Sequence, residues 1–310
     1  MVAKQFFIGI NWGSSNLRAY LLDEQGTLCD STSSPKGVTK LDYDSMTDTF
    51  LEVVNNWPYT DSVYLSGMIG SPMGWTDIPY KACPVGLNEL MNALSPVEIG
   101  GRCAVIVPGV RCSTAYGDPE IMRGEELEII GMLAVAPQLA KSGKIAALPG
   151  THSKWVQLSE GRIVEFFTSM GSEVFDRLAE KGLLNSVMTG EAHVSEPFTK
   201  GVRRGASGAT GLGRLLFGVR AQAIDGRLSG DDAASYARGL LIGAEIADAN
   251  SIYSITSYQG SIPLVGNAPL CKLYAAALEL FDVSSHILDA DKIAGAGYTA
   301  LHRQALVCRQ

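Results

Sequence analysis

One device occurs twice along this chain. Residues 6–33 read as strand, small-residue loop, strand, tight turn, strand: FFIGIN runs into Trp12-Gly13-Ser14-Ser15-Asn16, LRAYLLD follows, Glu24-Gln25-Gly26 turns the chain and TLCDSTS returns. Residues 145–168 repeat the pattern, with IAALP entering Gly150-Thr151-His152-Ser153, then KWVQLS, the turn Glu160-Gly161 and RIVEFFTS. Two hairpin-bearing segments about 135 residues apart predict two related α/β lobes facing each other, not one long doubly wound sheet. The length agrees, because 310 residues exceed the roughly 250–300 at which one core stops growing. The stretch PQLAKSGK at 136–143 has the proline, glycine and polar residues of a linker, so the lobes are expected at 1–140 and 141–310.

Strand-length apolar runs at Phe6–Asn11, Val63–Met68 and Ala104–Gly109 alternate with helical periods, the first from about Glu120 to Val135, which is the α/β pattern. Asp231–Ala249 reads as a helix with a small-residue packing face. Ser261–Gly266 reads as a buried strand, and a helix opens after Asn267 with Pro269 in its first turn.

Composition removes several classes of function. With 25 basic against 32 acidic residues the net charge is −7, which disfavours a nucleic-acid binder that works by phosphate neutralisation. An anionic ligand therefore needs locally placed Arg or Lys. Cys29, Cys83, Cys103, Cys112, Cys271 and Cys308 lie far apart without a C-x-x-C pair and are read as thiols outside any disulfide. No run approaches the 18 apolar residues of a membrane span, and FFIGI is too short for a secretory signal. A cytoplasmic protein is the expectation, without membrane or nucleic-acid partners. A homodimer is expected only because two-fold dimers are the commonest assembly.

A loop of Gly, Ser and Thr between two strands can turn amides and hydroxyls toward phosphate oxygens. One such loop is equally an ordinary hydrogen-bonded turn. Two of them, one per lobe, form a clamp for a nucleotide's phosphates. No G-x-x-x-x-G-K-[ST] loop is present, and Gly208–Gly213 has the wrong spacing for a dinucleotide fingerprint. His193, His286 and His302 lack metal-ligand spacing, and Ser153 beside His152 has no nucleophile elbow around it.

The blocks INWGSSNLRAYL, GVTKL, SGMIGSPMGW, MRGEELEIIG, LPGTHSKWV and LLIGAE together resemble the 2-dehydro-3-deoxygalactonokinase family, in the sugar kinase, Hsp70 and actin superfamily. The resemblance runs through most of the chain. It implies two ribonuclease-H-like lobes with a nucleotide cleft between them. It also implies ATP- and Mg2+-dependent phosphorylation of the 6-hydroxyl of 2-dehydro-3-deoxy-D-galactonate.

Phosphoryl transfer asks for in-line positioning, charge neutralisation and a proton acceptor. The resemblance places the catalytic carboxylate at Glu125-Glu126, where Arg123-Gly124 enters a helix. Glu125 is taken as base and Glu126 as a substrate contact, although an acidic first turn also simply complements a helix dipole. A carboxylate substrate calls for a fixed Arg, and Arg123 and Arg111 are the candidates. Gly37, Val38, Gly70 and Trp75 resemble the family's sugar-acid pocket, Trp75 being equally readable as a core aromatic. Gly13, Ser14, Ser15 and Asn16 form the first phosphate loop, with Arg18 behind it or in a surface ion pair. Gly150, Thr151 and His152 form the second; Lys154 either reaches a phosphate or faces solvent, and Gly266-Asn267 is the adenosine candidate.

Two positions depart from the family pattern. Its first hairpin carries Asp in D-W-G-[ST], where a carboxylate helps hold magnesium, and this chain has Asn11, an oxygen without charge. Its T-G-E after the second hairpin reads Ser169-Met170-Gly171-Ser172-Glu173. The alternatives are a kinase for a neighbouring sugar acid such as 2-dehydro-3-deoxygluconate, or a non-enzymatic sensor that kept the clamp.

Overall fold

The structure is a computed structural model in which residues 5–114 and 116–307 are described; Cys308 lies outside them. No described cysteine is in a disulfide. Contacts divide the chain into two compact units. Unit 1 takes the described part of Met1–Lys144, Leu158–Glu165 and Asp289–Gln310, and unit 2 takes Ile145–Gln157 and Phe166–Leu288. The C-terminal segment thus groups with the first unit, a placement that a single linker cannot reveal. The PQLAKSGK stretch itself is a short 3-10 turn, Pro137–Ala140, leading directly into the next strand.

Unit 1 opens with β1 (Phe6–Trp12), β2 (Leu17–Asp23), β3 (Leu28–Ser34), α1 (Tyr43–Asn55), β4 (Val63–Ser66), β5 (Lys81–Ala82), α2 (Leu87–Met91), β6 (Ser95–Ile99), β7 (Arg102–Ile106), β8 (Val110–Ser113), β9 (Pro119–Met122) and α3 (Glu125–Val135). A six-stranded sheet has the order β3-β2-β1-β4-β7-β6, and β5-β8-β9 form a smaller one. β1 is central, antiparallel to β2 and parallel to β4, with Asn11 opposite Arg18 on one side and Ser66 on the other. It is buried on both faces, as a continuous apolar run should be: Ile8, Ile10 and Trp12 enter a core with Leu65, Ile69, Ile106 and Phe50 of α1. The helical period read from residue 120 begins later than expected. Residues 119–122 are strand β9, and Gly124, at φ 115°, turns the chain through a conformation that L side chains avoid before α3 starts at Glu125.

Unit 2 continues with β10 (Lys144–Leu148), β11 (Ser153–Ser159), β12 (Arg162–Ser169), α4 (Gly171–Glu180), α5 (Glu196–Ala206), α6 (Leu212–Ile224), α7 (Gly230–Tyr253), β13 (Ile262–Leu264), α8 (Ala268–Glu279) and β14 (Ser285–Ile287). Its sheet runs β12-β11-β10-β13-β14. Ile145, Ala147, Trp155, Ile262 and Leu264 form its core with Ile246 of α7 and Tyr274 of α8. The helix predicted after Asn267 is present, and Asn267 caps it by accepting from the Leu270 N–H (3.1 Å).

The chain then returns to unit 1 with α9 (Ala290–Val307), which packs along α3. The approach is close: a Cβ on Gly131 would collide with Ile293 O, and one on Gly297 with Leu127 O. Backbone-to-backbone packing of this kind fixes where the first turn of α3 points. Among the described residues no helix is long and apolar enough to cross a membrane.

Candidate active site

In unit 1 the first hairpin loop is closed by Gly13 N–H donating to Asn16 O (2.9 Å). Ser14, Ser15 and Asn16 are exposed. Its carbonyls are all engaged from one side. Val38 N–H donates to Gly13 O (3.0 Å), Thr39 N–H to Ser14 O (3.2 Å) and Gly37 N–H to Ser15 O (3.2 Å). Thr39 Oγ1 and Lys40 Nζ add bonds to Ser14 O and Ser15 O. A Cβ at Gly37 would fall on Ser14 O, so only glycine lets these segments meet. The Gly37 and Val38 amides, expected to recognise sugar hydroxyls, are therefore spent on the loop, and the Val38 side chain is in the core.

Asn11 is the penultimate residue of the central strand, with its Oδ1 between two glycines. A Cβ on Gly67 would stand 2.9 Å from it and one on Gly124 3.4 Å. The candidate metal residue thus meets the start of α3, where the two candidate carboxylates sit. Arg123 N–H donates to Glu125 Oε2 (3.1 Å) and Gly124 N–H to Glu126 Oε2 (2.6 Å). Glu125 is half-buried. Glu126 is fully buried with Oε1 lacking a hydrogen-bond partner. Burial, and Glu125 beside it, push the Glu126 carboxyl up to about 8. Burial and Glu125 push Glu128, one turn on, up to about 8 as well, with the Arg18 charge opposing. Arg18 itself is exposed on β2.

Arg123 is 8% exposed. Its Nη2 donates to Ile78 O (2.7 Å), and its guanidinium carbon lies 4.2 Å from the centroid of the Tyr80 ring. Nε and Nη1 have no partner. Leaving buried guanidinium donors unmet costs desolvation energy, which an anion accepting from them would relieve. Gly70 stands against Nη1, where a Cβ would come within 3.0 Å, so this pair of candidates does meet. Arg111 is exposed on β8, cross-strand from Ile121 of β9. Trp75 is half-buried and stacks on exposed Tyr43, ring centroids 3.7 Å apart.

In unit 2 the second loop stands on the start of α8. Asn267 N–H donates to Pro149 O (3.1 Å), and Gly266 approaches that carbonyl so closely that a Cβ would collide with it. The Asn267 side chain is already used as the helix cap. His152 Nε2 lies 2.6 Å from Glu173 Oε2, and the Glu173 N–H donates to Thr151 O (3.3 Å). The hydrogen bond with His152 holds the Glu173 carboxyl below the usual range. Lys154 does not face solvent: it is 5% exposed, with Nζ donating to Thr168 Oγ1 (3.0 Å).

Sequence reasoning missed two groups here. Gly67 lies inside SGMIG, yet only the contact with Asn11 marks it. Glu245 closes the LLIGAE block and proves to be a buried carboxylate beneath the second loop. Its sequence signal was an acid in the largely apolar run LLIGAE.

Comparisons with known proteins bear on the family and the fold. The family model described as 2-keto-3-deoxy-galactonokinase matches residues 11–301. The 2-dehydro-3-deoxygalactonokinase of Escherichia coli (strain K12) is 34% identical over 95% of this chain and 94% of its own length. A crystal structure of a provisionally named 2-dehydro-3-deoxygalactonokinase from Sinorhizobium meliloti superposes with TM-score 0.84 at 30% identity, covering 96% of this chain and 99% of that one. Component A of the Acidaminococcus fermentans (R)-2-hydroxyglutaryl-CoA dehydratase, at TM-score 0.55 and 14% identity over 97% and 99% of the two chains, shares the fold alone. The fold is the α/β actin-like ATPase and sugar-kinase type, and the chain belongs to the 2-keto-3-deoxy-galactonokinase family.

Proposed function

We propose that this protein transfers the γ-phosphoryl group of ATP to the 6-hydroxyl of 2-dehydro-3-deoxy-D-galactonate, giving the 6-phosphate and ADP. The observation that carries the substrate class is Arg123, a buried guanidinium with two unmet donors in a protein of net charge −7. A sugar acid's carboxylate takes one edge of that fork in bidentate fashion, Nη1 or Nε paired with the second hydrogen of Nη2. Arg111 is a second cation on the adjoining strand, and Gly70 and Trp75 shape the pocket.

Glu125 is the proposed base. It is half-buried and takes the 6-hydroxyl proton as the oxygen attacks phosphorus, the γ-phosphoryl leaving ADP as the new P–O bond forms. Glu126, held neutral near pH 7 by burial, keeps a second negative charge away from the incoming phosphates. The loops Gly13–Asn16 and Gly150–His152 supply amides to the phosphates, with Arg18 and Lys154 as nearby positive charge. Gly266-Asn267 shapes the adenosine end through backbone alone.

Among the described residues no three metal-ligating side chains gather. Magnesium binds chiefly through nucleotide phosphates and waters and needs one or two protein oxygens. Asn11 Oδ1 is the proposed protein contact, and the ion supplies charge neutralisation of the transferred phosphoryl group. The reading places the enzyme with its ATP in the cytoplasm.

The test is ADP release with Mg2+ and ATP in the presence of 2-dehydro-3-deoxygalactonate, its gluconate epimer, or neither. Turnover selective for the first supports the proposal. Selectivity for the epimer would overturn the substrate, and ligand binding without ADP release would make the protein a sensor.

A further inference from the structure

Glu245 lies on α7, 2% exposed, and both of its oxygens are engaged. Trp155 Nε1–H donates to Oε1 (2.7 Å) and Tyr274 Oη–H to Oε2 (2.8 Å). Ser169 adds a third hydrogen bond. Tyr274 Oη is also 2.8 Å from Ser153 Oγ, both side chains being buried. With the single Tyr274 proton directed at Glu245, Tyr274 Oη accepts from Ser153. Ser153 Oγ in turn meets the Gly150 peptide, 3.4 Å from its N–H and 3.5 Å from its O, so Gly150 is the next link. The buried Glu245 carboxyl thus stands at one end of a hydrogen-bonded chain that runs through Tyr274 and Ser153 to Gly150.

The second branch ends beside the same loop. Ser169 Oγ accepts from Gly171 N–H (3.2 Å) at the start of α4. Two residues on, Glu173 holds Thr151 by its backbone and His152 by its carboxylate.

We infer that Glu245 is a positioning residue of the nucleotide site, fixing Gly150 through Tyr274 and Ser153, and the α4 start beside Thr151 through Ser169. This rests on the reading that the Gly150–His152 loop takes ATP phosphates. The experiment measures the Kd of Mg-ATP and Mg-ADP by calorimetry, without sugar acid, for Glu245→Gln, Tyr274→Phe, Ser153→Ala and the Ser153→Ala/Tyr274→Phe double variant, together with Tm. Ser153→Ala leaves every Glu245 hydrogen bond intact and guards against a variant that fails to fold. Each single variant should weaken nucleotide binding about three- to tenfold. The KM for sugar acid should stay unchanged, and the double variant should be no weaker than the worse single, since both remove one link. Lower Tm with unaltered nucleotide Kd, or additive losses, would overturn the inference. A wild-type protein that binds ATP but phosphorylates no sugar acid would end the kinase proposal and leave this binding result decisive by itself.

Discussion

Arg123 rests its guanidinium on the ring of Tyr80, 4.2 Å from the centroid, while Nε and Nη1 stay unpaired. The aromatic face fixes the plane of the fork without consuming a donor, which is the state a carboxylate receptor needs before its ligand arrives. Replacing Arg123 by Met should raise the KM for sugar acid by about 10- to 100-fold with the KM for ATP unchanged. Arg123→Lys should recover little, because an ammonium cannot bond in parallel pairs. Steady-state kinetics with each substrate varied in turn decide this, and equal effects on both substrates would remove Arg123 from the sugar-acid site.

Glu125→Gln keeps the size and hydrogen-bonding oxygen of the side chain and removes its basicity. Turnover should fall by about 10²–10⁴-fold, while Mg-ATP affinity measured by calorimetry stays as in the parent. Unaltered kcat would end the case for Glu125 as base.

Asn11 brings a neutral oxygen to a place where a carboxylate would hold magnesium more tightly. Asn11→Asp should lower the Mg2+ concentration for half-maximal ADP release several-fold. An unchanged magnesium requirement would show that position 11 does not face the ion.

Glu126 and Glu128 both carry folded-state values of about 8 against an ordinary 4.5. A raised carboxyl binds its proton more tightly in the folded state. Its stabilisation is complete below about pH 4.5 and is lost as pH rises through 8, where the charge becomes buried. Tm should therefore decline between these values. Glu126→Gln keeps an oxygen for the Gly124 N–H and cannot ionise, so its Tm should fall less steeply over the same range. Parallel Tm profiles for the two proteins would contradict the assignment.

The hairpin repeat was readable because strand alternation and turn residues are local properties: both three-stranded segments, and the cap at Asn267, lie where the spacing put them. What was not readable is tertiary. The grouping of α9 with the first unit depends on glycines 166 positions apart, Gly131 and Gly297, meeting across two helices. Glu120–Met122 carried a helical period and became strand because Val110–Ser113 offered a pairing edge and Gly124 broke the helix. At the site, the charge balance and the expected carboxylate substrate together called for an arginine and left Arg111 and Arg123 as candidates, while the burial of Arg123 is a tertiary property. Lys154 was not, because burial of a strand lysine is decided by residues far away in sequence. The same holds for Glu245, whose meaning comes from Trp155 and Tyr274, on two other elements.

The carbonyls of Gly13, Ser14 and Ser15 are all tied down by residues 37–40. An arc of peptide groups whose negative ends are anchored behind it presents a fixed dipole outward, independent of side-chain charge and of pH. The shape of that arc depends on a residue with no side chain at all, Gly37, whose Cβ would fall on Ser14 O. A change at either serine would alter the decoration of the loop, whereas a single methyl group at position 37 would tilt the whole dipole.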